Sequence, residues 1–456
     1  MDAPILDLLI EGAVVLTADP SAPVLNPGRI GVTGNRITHL GPAEGAAPPA
    51  REVIDARGHV AIPGLMNVHT HAILSMVRGV AEDMGFAPAY TPGVPHGHDV
   101  TEAEAVAMAR LGALEALKFG STLINDSFVH QELTLPAMAD LGIRAWGCGR
   151  IHDVDFSRVH LKEWTYSDAI GAWTLDLAES LYETCHGKAD GRIGVHLAAH
   201  APDTCSRRQL ERVRDLRDRT GLRTATHLCQ SRIEVETVRE RDGMSPPELL
   251  DEVGLLDDRL LSAHCIFVTD SDIERIGRAG MHVAHIPKGN ATGATIAPTD
   301  RLRAAGARLT LATDNMHADM VEVMRWGLNM GRIQRGAISD DWQPETVFAM
   351  ATMGGARAMG LEHELGSLTE GKKADIVLLD YRRPHLVPLI DPLGNLVHTA
   401  QGRDVRHVVV DGRIVLRDGR STLANEDEIL RDAQRAAEAL WSRARAELAR
   451  MKGERR

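Results

Sequence analysis

Short apolar runs alternate with longer stretches of helical periodicity through the middle of this chain. Eight such runs stand at 61–66, 121–125, 144–148, 193–199, 223–226, 260–263, 282–284 and 308–313. Runs without polar alternation are strands buried on both faces, the condition of a parallel sheet, and the helical stretches between them supply the crossovers. Thr101-Glu102-Ala103-Glu104 has the form of a capping box, and Gly120 ends the Ala/Leu/Met-rich helix just ahead of the second run. Eight βα units across roughly 300 residues predict a (β/α)8 TIM barrel of the α/β class. An open doubly wound sheet would need a phosphate-binding loop, and the sequence contains none.

The flanks read differently. The first sixty residues break into short strands at 7–10, 13–17, 29–32, 36–40 and 52–55, punctuated by Gly12, Pro27-Gly28, Gly34-Asn35 and Gly41-Pro42. The same grammar returns at 374–379, 405–410 and 413–416, where Asp411-Gly412 is a strong hairpin signal. The expected layout is a small β-sandwich built from 1–60 and 363–422, a barrel over 61–362, and a C-terminal helix over 423–456. Leu430, Ala433, Ala437, Leu440 and Trp441 give that helix one apolar stripe for packing on the outside. The Pro/Gly-rich stretch 88–99, with His96 and His98, is expected to be a loop overhanging the active face.

Composition narrows the function by exclusion. The 456 residues carry 51 Lys+Arg against 63 Asp+Glu, a net charge of −12, which leaves no basic surplus for nucleic acid or an anionic membrane. No apolar run reaches the length of a membrane span, and the N-terminus lacks the pattern of a secretory leader, so a cytoplasmic protein is expected. Five cysteines without C-x-x-C spacing suggest neither a disulfide framework nor a thiolate zinc knuckle. What composition leaves over is 21 histidines beside only 16 Phe, Trp and Tyr residues.

Position accounts for part of that surplus. His69 and His71 follow the first run, His200 the fourth, His227 the fifth, His264 the sixth, His285 the seventh and Asp314 the eighth. Carboxyl ends of strands form the face on which such barrels carry their chemistry. A single histidine there is more often a hydrogen-bonded structural residue than a ligand. Seven polar residues at six strand ends are costly to desolvate unless something uses them. The chemistry that needs this set is metal-activated water. His69 and His71, two apart on extended chain, point the same way and can share one ion, and His227 and Asp314 add a nitrogen and a carboxylate oxygen. This donor set suits one divalent ion, zinc first, with iron, cobalt or nickel open. Asp314 and His264 are placed to handle protons. Cys229 and Cys265 adjoin these residues but are read as buried packing.

The stretches Ile62-Pro63-Gly64-Leu65-Met66-Asn67-Val68-His69-Thr70-His71, His200-Ala201-Pro202, Thr226-His227-Leu228, Ala263-His264-Cys265 and Leu311-Ala312-Thr313-Asp314-Asn315 resemble the amidohydrolase superfamily. So does the closing run from Gly366 to Asp380, and the resemblance spans nearly the whole chain. Within it, the chain looks like the branch of triazine hydrolases and of cytosine, guanine and S-adenosylhomocysteine deaminases. The resemblance implies a barrel with one divalent metal held by His69, His71, His227 and Asp314. It implies that His264 polarises the attacking water, that His200 touches substrate, and that the protein forms a homo-oligomer.

Two departures stand out. Where such deaminases carry a glutamate three residues after the strand-five histidine, this chain has Gln230, which hydrogen-bonds but cannot exchange a proton. After strand seven it reads Ala284-His285-Ile286-Pro287-Lys288-Gly289-Asn290, which adds His285 and Lys288 as substrate-binding candidates. With Gln230 in place of a proton carrier, the favoured reading is hydrolysis of an amide, urea or carbamate type C–N bond by metal-activated water. The alternative is an aminohydrolase or chlorohydrolase acting on a pyrimidine, purine or s-triazine ring with Gln230 binding the ring. A barrel serving only as a scaffold would not need all four ligands.

Overall fold

The computed structural model describes residues 5–84, 91–95 and 97–454; His96 and the side chain of His98 lie outside the described residues. Eight parallel strands form the barrel: β6 (Leu65–Thr70), β7 (Ser121–Asp126), β8 (Arg144–Ile151), β9 (Ile193–Ala199), β10 (Thr224–Leu228), β11 (Leu260–His264), β12 (His282–His285) and β13 (Arg308–Leu311). They pair in sequence order from β6 to β13. A bridge between Thr70 and Asp314 closes the ring. The amide of His71 donates to Asp314 O at 3.1 Å and that of Asp314 to His69 O at 3.0 Å. The seam of the barrel is therefore sewn by the backbone of three expected metal ligands.

The helix Glu102–Lys118 begins with the expected capping box at Thr101. The second sheet is a separate mixed sheet of nine strands from the two ends of the chain, comprising β1 (Leu6–Leu16), β2 (Val24–Thr33), β3 (Arg36–Pro42), β4 (Ala50–Asp55), β5 (His59–Pro63), β14 (Ile376–Asp380), β15 (Val405–Val410), β16 (Arg413–Arg417) and β17 (Arg420–Ser421). The tail forms the helix Glu426–Glu454. Its Trp441 Nε1 donates to Met76 O at 2.9 Å and its Arg443 pairs with Glu104 at 2.6 Å, so it lies against the barrel; Ala433 and Leu440 of the expected stripe are buried there with Ala437 and Trp441 packed beside them, whereas Leu430 is exposed and Ile429, one residue earlier, takes the buried position.

The run 61–66 is corrected by the structure, because it belongs to two strands in two sheets. Ala61 and Ile62 sit in β5 and pair with β14, whereas Leu65 and Met66 open β6 and pair with β7. Gly64 is the hand-over. A Cβ there would stand 1.9 Å from Thr122 Oγ1, and its amide donates to Asp375 O at 3.0 Å. Only a residue without a side chain passes between the sheets so closely. The join is also ionic. Arg144, at the first position of β8, donates from Nε and Nη2 to the Asp375 carboxylate at 2.9 and 2.8 Å and from Nη2 to Asp411 at 2.9 Å, all three side chains being buried.

Candidate active site

Each ligand candidate is carried to the barrel mouth by its strand end. His69 is the penultimate residue of β6, His227 lies in β10, His264 closes β11, and Asp314 follows β13. The backbone turns sharply there, with φ of 75° at His264 and 65° at Asp314, a left-handed conformation that L-residues adopt only when their surroundings enforce it. His69, His71 and His227 form one group of facing donor atoms, and His69, His264 and Asp314 form a second, so His69 belongs to both. All five are buried.

The hydrogen bonds behind the rings decide what the front faces can do. His71 Nδ1 lies 2.7 Å from Ser127 O and His227 Nδ1 lies 2.6 Å from His200 O. A carbonyl only accepts, so both Nδ1 atoms carry the proton and both Nε2 atoms present lone pairs. Those two Nε2 atoms are 3.2 Å apart. Two bare lone pairs at that distance repel unless a cation sits between them. Asp314 Oδ1 adds negative charge 3.4 Å from His71 Nε2 and 3.6 Å from His69 Nε2. His264 Nδ1 faces the amide oxygen of Asn290 at 3.1 Å, which turns its Nε2 toward the same space. This donor set fits a divalent metal ion.

Burial, then the neighbouring His69 ring, holds His71 down at about 3, and burial pushes His227 well below the ordinary imidazole value. Metal binding needs these rings neutral. Burial by itself raises the Asp314 carboxyl, but the His69 contact and the adjacent His264 and His71 rings bring it well below the usual carboxylate range. Beneath Gln230, the Glu234 carboxyl accepts the amides of Cys229 and Gln230 at 2.7 Å each and pins the loop that follows His227.

The other candidates separate. His200 is beside the cluster, its ring 4.9 Å from that of His227, yet both its nitrogens are engaged, Nδ1 with Thr204 Oγ1 and Nε2 with Arg150 Nη2, each at 2.7 Å. Gln230 stands at the rim with an exposed side chain. Lys288 Nζ is paired with Glu322 at 2.7 Å. His285 is completely buried, belongs to neither metal group, and has no hydrogen-bond partner on either ring nitrogen among the described residues. Cys229 and Cys265 are buried and unpaired, as packing residues should be. Sequence reasoning passed over Ser127, Asn290, Phe128, Arg150 and Phe156. Arg150 was within reach of the same strand-end rule, since it is the penultimate residue of β8.

Buried neutral histidines away from the cluster make a pH prediction. Burial holds His196 and His285 at about 3 and His282 at about 4, below the ordinary 6.5. The unfolded chain takes up these protons below about pH 6.5 and the folded chain refuses them, so the stabilisation is complete above that pH and is lost as pH falls. Each such histidine costs up to about 1.4 kcal/mol per pH unit. Urea midpoints are therefore expected to drop steadily from pH 7 to pH 5; a flat profile would contradict the assignment.

A family model described as "Amidohydrolase family" matches residues 60–415. The chain belongs to the amidohydrolase family. A 5'-deoxyadenosine deaminase of Methanosarcina acetivorans is 33% identical over 446 residues, covering 96% of this chain and 100% of that protein. A 5-methylthioadenosine/S-adenosylhomocysteine deaminase of Desulforudis audaxviator is 35% identical over 443 residues, covering 95% and 99%. Among solved structures, a zinc-bound adenosine deaminase from Xanthomonas campestris superposes with a TM-score of 0.86 at 25% identity, covering 96% of this chain and 100% of that one. The zinc complex of an atrazine chlorohydrolase from Arthrobacter aurescens shares the fold, with a TM-score of 0.84 at 22% identity over 94% of this chain and all of the other. This amidohydrolase is accordingly a metal-dependent hydrolase of carbon–nitrogen bonds outside peptides, as its sequence implied. No helix among the described residues is long and apolar enough to cross a membrane.

Proposed function

We propose that this amidohydrolase is an aminohydrolase that releases ammonia from a purine-type N-heteroaromatic ring. The observation that carries the reading is a group of aromatic side chains beside the donor cluster. The Phe128 ring lies 5.7 Å from His71, the Phe156 ring 5.3 Å from His200, and the Arg150 guanidinium lies over Phe156 at 4.6 Å. Aromatic surface suits a planar substrate, and the deaminase names of the relatives support the same class.

In this reading His69, His71, His227 and Asp314 hold one ion, which we take to be zinc. When bound, that ion supplies the Lewis acidity that brings the pKa of water toward 7. Asp314 accepts the water proton at a carboxylate oxygen and returns it to the departing amine, which leaves as ammonia when the C–N bond breaks. His264, with Nδ1 tied to Asn290, keeps Nε2 turned toward the developing oxyanion and can exchange a proton there. Gln230 donates to or accepts from the ring edge but carries no proton. Lys288, clasped by Glu322, borders the site as a neutralised charge pair.

The amide, urea or carbamate reading stays as the second, because Gln230 stands where a ring deaminase carries its acid. A panel on the zinc-loaded enzyme separates them. Ammonia release is expected from at least one of adenosine, 5'-deoxyadenosine, guanine, cytosine and melamine. Turnover confined to ureas, carbamates and amides would replace the proposal with the second reading.

A further inference from the structure

The C-terminal helix, Glu426–Glu454, has two apolar faces, and its own chain covers only one of them completely. Ile429, Ala433, Ala436, Leu440 and Ala444 are buried, the first four within the core that also takes in the helix Glu102–Lys118. The second face runs from Asp427 through Leu430, Gln434, Ala437 and Trp441 to Arg445, at the three- and four-residue steps that line up on one side of an α-helix. Leu430 is 52% exposed and Val80, beside the helix, 41%. Together with Val80, Ala437 and Trp441 line a groove of about 610 Å³. A half-exposed leucine two turns along the same stripe from an apolar groove is what helix-to-helix docking uses.

Charge says which helix fits. The stripe opens on Asp427 and closes on Arg445, both exposed, and neither is in an ion pair among the described residues; Arg445 rests 5.7 Å from the Trp441 ring. A surface acidic at one end, basic at the other and apolar between complements itself when a second copy is laid on it antiparallel. With a two-fold axis at the level of Ala436, Asp427 of each copy meets Arg445 of the other, Gln434 meets Glu438, and Leu430 comes to Ser442 beside Trp441, at the groove. No like charges on the stripe are opposed in this register. A nucleic acid or an anionic membrane needs a basic face, which the first half of this stripe is not. We propose that this face is a dimer interface, occupied by the same helix of a second copy of the chain.

Charge reversal tests the pairing. Asp427 and Arg445 are eighteen residues apart on one helix, about 27 Å, so they can meet only between copies. Sedimentation velocity on the full-length protein over a wide concentration range is expected to show a dimer. Leu430→Glu should weaken its association at least about tenfold. Asp427→Arg and Arg445→Asp each turn two attractions into two repulsions and should each weaken it about tenfold, and less at high salt. The double variant Asp427→Arg/Arg445→Asp restores both pairs with exchanged signs and should return the dissociation constant to within about threefold of wild type. All three positions are exposed, so circular dichroism and melting temperature should not move; if Leu430→Glu does lower the melting temperature, the charge reversals decide alone. A wild type that stays monomeric, leaving the groove to another occupant, would overturn the proposal. So would a dimer indifferent to both single reversals, or a double variant no tighter than either single one.

Discussion

Asp314→Asn is expected to lower turnover on the order of 10³-fold, the scale on which a positioned base or ligand acts. The carboxylate is buried, its acidity is increased by the surrounding imidazoles, and Oδ1 lies within 3.6 Å of Nε2 of both His69 and His71. Asparagine has nearly the same shape but no charge to offset an ion and no capacity to take the water proton. The seam of the barrel runs through the Asp314 backbone rather than its side chain, so the variant should remain folded. Steady-state assay with metal content per chain reads the outcome. A variant retaining full metal and more than a tenth of wild-type turnover would remove Asp314 from both proposed roles.

Arg144→Met is the stability counterpart, with an expected loss of about 3–5 kcal/mol. The substitution leaves the buried Asp375 and Asp411 carboxylates side by side on the terminal-sheet side of the junction, with Lys373, 3.4 Å from Asp411, and the Asp411 amide, 2.9 Å from Asp375 Oδ1, left to compensate. Replacing a buried ion pair as a whole can be neutral; removing one partner strands the other. Chemical unfolding measures the loss, and Arg144→Met combined with Asp375→Leu and Asp411→Leu should recover much of it. A single variant as stable as the wild type would show that the junction does not depend on this triad.

The barrel was legible because its strands are buried on both faces. Seven of the eight runs lie on one barrel strand each, although the run 308–313 ends as regular strand at Leu311. The run 61–66 misled because apolarity is common to a strand in either sheet. Nothing in Ile62-Pro63-Gly64-Leu65 says that hydrogen-bond partners change at Gly64; the approach of Thr122 does. The metal candidates were legible for a related reason. In a parallel barrel every strand points the same way, so the end of each run maps onto one face, and the histidines there had to be neighbours.

Side-chain direction was not legible. His285 obeys the same strand-end rule as His264, yet His264 faces the donor cluster and His285 does not join it. The partners of Lys288 and His200, Glu322 and Arg150, come from elements 34 and 50 residues away. The sequence by itself determined the class of fold, the common face of the histidines and the replacement of an expected acid by Gln230. These follow from local periodicity and residue chemistry. Only the tertiary structure decided which imidazole nitrogens are bare, because tautomers are set by the Ser127, His200 and Asn290 oxygens that packing brings behind them, and which side chains engage the two cations, because Glu322 pairs with Lys288 while His200 accepts from Arg150.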